Sequence, residues 1–126
     1  MKRVAAAIVI MALMLGSGTG ILLWLHHGTV DLLGDIAQAE QQVWDGEIKE
    51  AFETLEQAQQ DWREDEIYFS RLLRHRELDT VTVTLDSLPA YLEYGDYASF
   101  FAMTSQAKSM IRHIWEAELP SWNNLL

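Results

Sequence analysis

Between Val4 and Leu25 the chain carries no charged residue, a run of about 22 positions. At ~1.5 Å per residue a helix of that length spans ~33 Å, a match for a hydrocarbon core of ~30 Å. Lys2 and Arg3 precede the run, and Asp31 and Asp35 follow it. The positive-inside rule then expects a cytoplasmic N-terminus and an extracytoplasmic remainder, with Trp24, His26 and His27 at the outer headgroup level. Two readings of the run stay open. It is an uncleaved signal-anchor over residues 1–27, or a signal peptide with Val4–Leu15 as its apolar core and Gly16-Ser17-Gly18 as the cleavage site. The return of apolar residues at Ile21–Leu25 favours the anchor. Ala12, Gly16 and Gly20 recur every fourth residue and share one helix face, a spacing that lets two transmembrane backbones approach.

All nineteen Asp and Glu lie downstream of the run, against seven of the nine basic residues, so residues 28–126 carry a balance of −12. Phosphates of nucleic acid and anionic lipid headgroups are expected to repel such a domain. With no cysteine, disulfides, thiolate zinc sites and cysteine nucleophiles are excluded. An exported domain of this kind must be held by packing alone, which favours helical hairpins.

Apolar residues recur at helical spacing from Leu32 onward. One stripe runs Leu32, Leu33, Ile36, Ala39 and Val43, and ends at Asp45-Gly46. A second runs Ile48, Ala51, Phe52, Leu55, Ala58 and Trp62, where Arg63-Glu64-Asp65-Glu66 puts charge at an expected apolar position and predicts a break or kink. A third contains Leu78, Val81, Leu85, Leu88 and Leu92, and a fourth runs from Tyr97 to Trp115 before Pro120. Thr80–Thr84 alternates like a strand but has no strand-like partner, so helix is expected there. Pro89 is expected to kink the third helix or to restart it after Ser87.

A shift of 49 residues superposes Gly46 on Gly95 and aligns Ile36 with Leu85, Val43 with Leu92 and Ala58 with Ala107. The predicted fold is all-α: an N-terminal transmembrane helix, then an antiparallel four-helix bundle made of two αα-hairpins.

Such bundles host carboxylate–histidine metal sites, and His75/Asp79 and His113/Glu116 have the spacing to share a helix face. Arg74, Arg76 and Arg112 beside those imidazoles oppose a cation, and ion-paired surface histidines are the simpler account. The carboxylates are strewn along solvated faces. No nucleophile triad, phosphate loop or calcium loop is present, so neither an enzyme nor a cofactor is expected. Trp44, beside the first turn, and Trp122, beyond Pro120, fall off the apolar stripes and are candidate partner-binding anchors.

The run Trp62…Leu72-Leu73-Arg74-His75-Arg76-Glu77-Leu78-Asp79, the turn Tyr94-Gly95-Asp96-Tyr97, the amphipathic last helix and the ending Asn123-Asn124-Leu125-Leu126 resemble the domain-of-unknown-function 4363 family. The resemblance covers nearly the whole chain and implies a short bacterial protein with one apolar segment and a helical remainder. It further implies a Gram-positive envelope setting beside a multi-span membrane protein, and brings no activity with it. The expected function is a non-catalytic accessory or interaction module of an envelope complex. The alternative is an extracytoplasmic bundle that senses a small ligand through a partner.

Overall fold

The computed structural model describes residues 1–71 and 74–118, with side chains through Glu116. Among these residues four helices follow one another: α1 (Lys2–Trp44), α2 (Ile48–Phe69), α3 (His75–Glu93) and α4 (Tyr97–Glu118). They pack in the cyclic order α1–α2–α3–α4–α1 with no diagonal pair, the up-down arrangement of a four-helix bundle.

The apolar run and the first bundle helix are one continuous helix of 43 residues, unbroken at Gly28. Its first part is long and apolar enough to cross a membrane and is not buried by the rest of the protein, a property that signal sequences share. The packed core begins as far back as Leu25, just ahead of the expected domain boundary after residue 27.

On α1 and α4 the core follows a strict heptad. Leu25, Thr29, Leu32, Ile36, Ala39 and Val43 are buried on α1, and Phe100, Thr104, Ala107, Ile111 and Ile114 on α4. Steps alternating between three and four residues keep one seam facing the partner helices, as in knobs-into-holes packing. Polar members of the seam satisfy themselves locally: Thr29 Oγ1 donates to the carbonyls of Leu25 and His26 at 2.9 Å.

The repeat at 49 residues is structural. At the end of α1, Gly46 N–H donates to Val43 O (3.1 Å) and Glu47 N–H to Gln42 O (2.8 Å). At the end of α3, Gly95 N–H donates to Leu92 O (3.2 Å) and Asp96 N–H to Tyr91 O (2.8 Å). Both turns are Schellman motifs with glycine in the left-handed region, φ +80° at Gly46 and +69° at Gly95.

Neither expected interruption ends a helix. The acidic stretch at residues 63–66 does not break α2, which continues to Phe69. No glycine or proline interrupts it, and buried Phe69 resumes the heptad one period beyond Trp62. Glu66 is also held in place: Trp62 Nε1 donates to Thr82 Oγ1 (2.8 Å), which lies 3.1 Å from Glu66 Oε1. Nor does Pro89 end or restart α3, which runs through it. A proline ring cannot donate to the carbonyl four residues earlier, that of Leu85. Gln59 on α2 donates to that carbonyl instead, Nε2 to O at 2.9 Å. The threonine run before it is helical as expected, with the Thr80, Thr82 and Thr84 hydroxyls each bonded to the carbonyl four residues back.

Candidate functional site

The most concentrated chemistry lies where α1 meets α2 beside the apolar run. Gly28 lets the helices close: a Cβ there would stand 3.2 Å from both Asp65 Oδ2 and Phe69 Cζ. Asp65 occupies the heptad position that an apolar residue would fill, between Trp62 and Phe69. Around it a recess of about 180 Å³ is lined by Asp31, Asp35, Asp61, Glu64 and Asp65 over Trp62 and Leu32. Partial burial pushes the Asp35 carboxyl above its ordinary value, with Asp61 and Asp31 adding repulsion. Burial likewise raises Asp65, with Asp61, Glu64 and Asp31 behind it. A recess like this favours a cation or a proton, and its members repel one another without one. Sequence reasoning saw the charge at residues 63–66 as a helix breaker. The missed signal was that Asp65 sits at a seam position opposite a glycine.

The histidines distribute differently from the metal-site pattern. His113 lines a shallow apolar groove between α3 and α4 with Arg76, Glu77, Thr80, Met110 and Ile114, whereas His75 is exposed at the start of α3 and does not line it. His26 stacks on Trp115 with ring centroids 4.5 Å apart. Among the described residues no group of three or more His, Asp or Glu is arranged to hold a metal ion.

Trp44 is 77% exposed at the end of the bundle far from the apolar run, meeting Phe101 edge-on at 6.2 Å. Tyr94 in the second turn is 83% exposed at the same end. Trp122 lies outside the described residues. Ala12, Gly16 and Gly20 are exposed on the free part of α1, and a Cβ added at Gly16 or Gly20 would meet open space.

Among the described residues two ion pairs join the hairpins: exposed Arg63 on α2 lies 3.7 Å from Asp86 on α3, and Lys108 Nζ on α4 stands 2.8 Å from Glu40 Oε1 and 3.0 Å from Oε2 on α1. At the start of α4, Asp96 accepts from the Ser99 backbone N–H at 3.1 Å. The Ser99 hydroxyl, together with this backbone cap, holds the Asp96 carboxyl below its ordinary value.

No curated protein and no solved structure gives a significant match to the chain. The model of the family described as "Domain of unknown function (DUF4363)" matches residues 23–125, a segment that opens just before the first buried residue, Leu25. With that match spanning the whole bundle, the chain belongs to the DUF4363 family.

Proposed function

We propose that the protein is a membrane-anchored, extracytoplasmic interaction module without catalytic activity, an accessory part of an envelope membrane complex. The observation that carries this reading is the exposed aromatic tip of Trp44 and Tyr94. It stands ~29 Å from Leu25 along a helix rising ~1.5 Å per residue. Large aromatic side chains held in water by a rigid scaffold are the usual anchors of protein interfaces. The core offers a binder little else, because the four helices fill it with their own heptad side chains. Ala12, Gly16 and Gly20 give the anchor a second surface on which another transmembrane helix can pack.

The test is a photo-crosslinking amino acid in place of Trp44, activated in native membranes and followed by mass spectrometry. A discrete adduct with another envelope protein is expected. Recovery of uncrosslinked monomer from Trp44 and from a matching probe at Gly16 overturns the reading.

The acidic recess supports a second reading, a bundle that senses a small cation such as a polyamine through a partner. Its carboxylates line an open recess between α1 and α2. Titration of the purified protein with spermidine, followed by thermal unfolding, separates the two. A rise in Tm lost in Asp65→Asn favours sensing.

A further inference from the structure

The domain's acidic balance hides a segregation of charge that only the folded chain creates. Gly28 faces Phe69, so Arg71 falls level with Leu25 and His26. The α2–α3 register, Trp62 on Thr82 and Gln59 on Leu85, brings Arg74, His75 and Arg76 to that same level. The end of the bundle where the apolar run emerges therefore carries Arg71, Arg74, Arg76, His26, His27 and His75, all exposed. Glu77 and Glu116 lie at this level, and Glu64 and Asp65 share a groove with Trp24 and Tyr68 just above it. The acidic recess begins about one turn higher. Neither described ion pair uses these arginines.

An aromatic rim accompanies the basic end. Trp24 is 39% exposed and lies against Tyr68, 57% exposed, with ring centroids 5.8 Å apart, and Ile67, the residue before Tyr68, is 62% exposed. Trp and Tyr with one face apolar and one polar edge settle at the headgroup layer. If the run from Val4 fills a ~30 Å hydrocarbon core, that layer meets residues from about Trp24 onward.

We propose that the span-proximal end of the bundle is a docking surface for the phosphates of anionic phospholipids. Arg71, Arg74 and Arg76 bind headgroups, while Trp24 and Tyr68 seat at the interface. This rests on the anchor reading and revises the expectation that the acidic domain is repelled by such lipids. Distance decides between the two. The Debye length is ~8–10 Å in physiological salt, so the acids of the far turns, up to ~29 Å away, are screened, and the arginines contend only with Glu77, Glu116 and the recess about one turn above them. Attraction at one end and repulsion along the rest hold the bundle upright, presenting the Trp44 tip away from the membrane.

The chain has no cysteine, so a single introduced thiol can carry a spin label in the full-length protein. Leu13→Cys reports insertion, and Ser70→Cys reports the distance of the basic end from nickel-chelating lipid headgroups. Bilayers of phosphatidylcholine alone are compared with bilayers that also contain phosphatidylglycerol. Collisions at position 70 are expected to rise several-fold with phosphatidylglycerol and to fall back in high salt. The response should weaken by up to roughly fivefold for each arginine removed in Arg71→Gln, Arg74→Gln and Arg76→Gln, and strengthen in Glu77→Gln. A Leu13 label within the hydrocarbon together with a position 70 indifferent to phosphatidylglycerol overturns the docking proposal. So does a response unchanged in the triple variant, the result expected if the arginines instead meet a phosphorylated or acidic protein. A Leu13 label outside the hydrocarbon removes the anchor reading and this proposal with it.

Discussion

The side chain of Gln59 supplies Leu85 with the hydrogen bond that Pro89 cannot give, bridging α2 to α3 at 2.9 Å. A buried carbonyl left unpaired costs about 1–3 kcal/mol. Gln59→Ala should therefore lower unfolding stability by about that amount. In a Pro89→Ala background the restored backbone N–H competes for the same carbonyl, and the cost of Gln59→Ala should shrink. A double-mutant cycle by chemical denaturation measures the coupling, expected at about 0.5–3 kcal/mol.

Glu40 and Lys108 join the two hairpins directly. Glu40 Oε1 is sealed from solvent, and the ammonium 2.8 Å away compensates it. Lys108→Met strands a partly buried carboxylate and should cost about 1–3 kcal/mol. Adding Glu40→Leu should recover most of the loss, since an apolar pair of similar volume removes the desolvation penalty. Thermal melts of the single and double variants check this.

Two glycines on α1 should respond with opposite signs. Gly28 abuts Phe69, so Gly28→Leu forces α1 and α2 apart, at about 1–3 kcal/mol. Gly34 has open space where a Cβ would go, and Gly34→Ala should stabilise by about 0.5–1 kcal/mol through helix propensity. At the two turns, Gly46→Ala and Gly95→Ala both meet positive φ and should cost about 1–2 kcal/mol each. Near-equal losses would show that the 49-residue repeat is energetic as well as geometric.

Asp35 and Asp65 make the recess sensitive to pH. Their folded-state values are raised, so the fold binds their protons more readily than the unfolded chain does. Their contribution is most favourable below the ordinary carboxylate range near ~3.9, and is lost as the pH rises through their raised values. Asp65→Asn should stabilise at neutral pH by about 0.3–1 kcal/mol, discounted for solvent screening, with little effect at pH ~4. Asp96 runs the other way: its value is lowered, so its cap holds at neutral pH and is lost as the pH falls through that lowered value. Asp96→Ala should lower Tm at neutral pH and lose its effect in strong acid. Melts across pH for the three proteins give the signs.

The sequence by itself determined the helical class, the apolar run, both turns and their equivalence. Heptad spacing and a glycine at positive φ are local properties that hold whatever the helices pack against. The seam of α4, and that of α1 from Leu32 onward, was legible for the same reason, whereas Leu25 and Thr29 join it only because α2 reaches back to Phe69. Where α2 ends was not, because Glu66 is held by Thr82 on another helix and Phe69 by Gly28 and Trp24. The passage of α3 through Pro89 depends likewise on Gln59, distant in the chain. The acidic recess and the basic end are tertiary in the same sense. Residues some 45 positions beyond the apolar run return beside it only because α2 is antiparallel and in heptad register with α1. Net charge is additive along a sequence, but the field a membrane meets depends on which charges lie within a Debye length of it, and folding alone sets that.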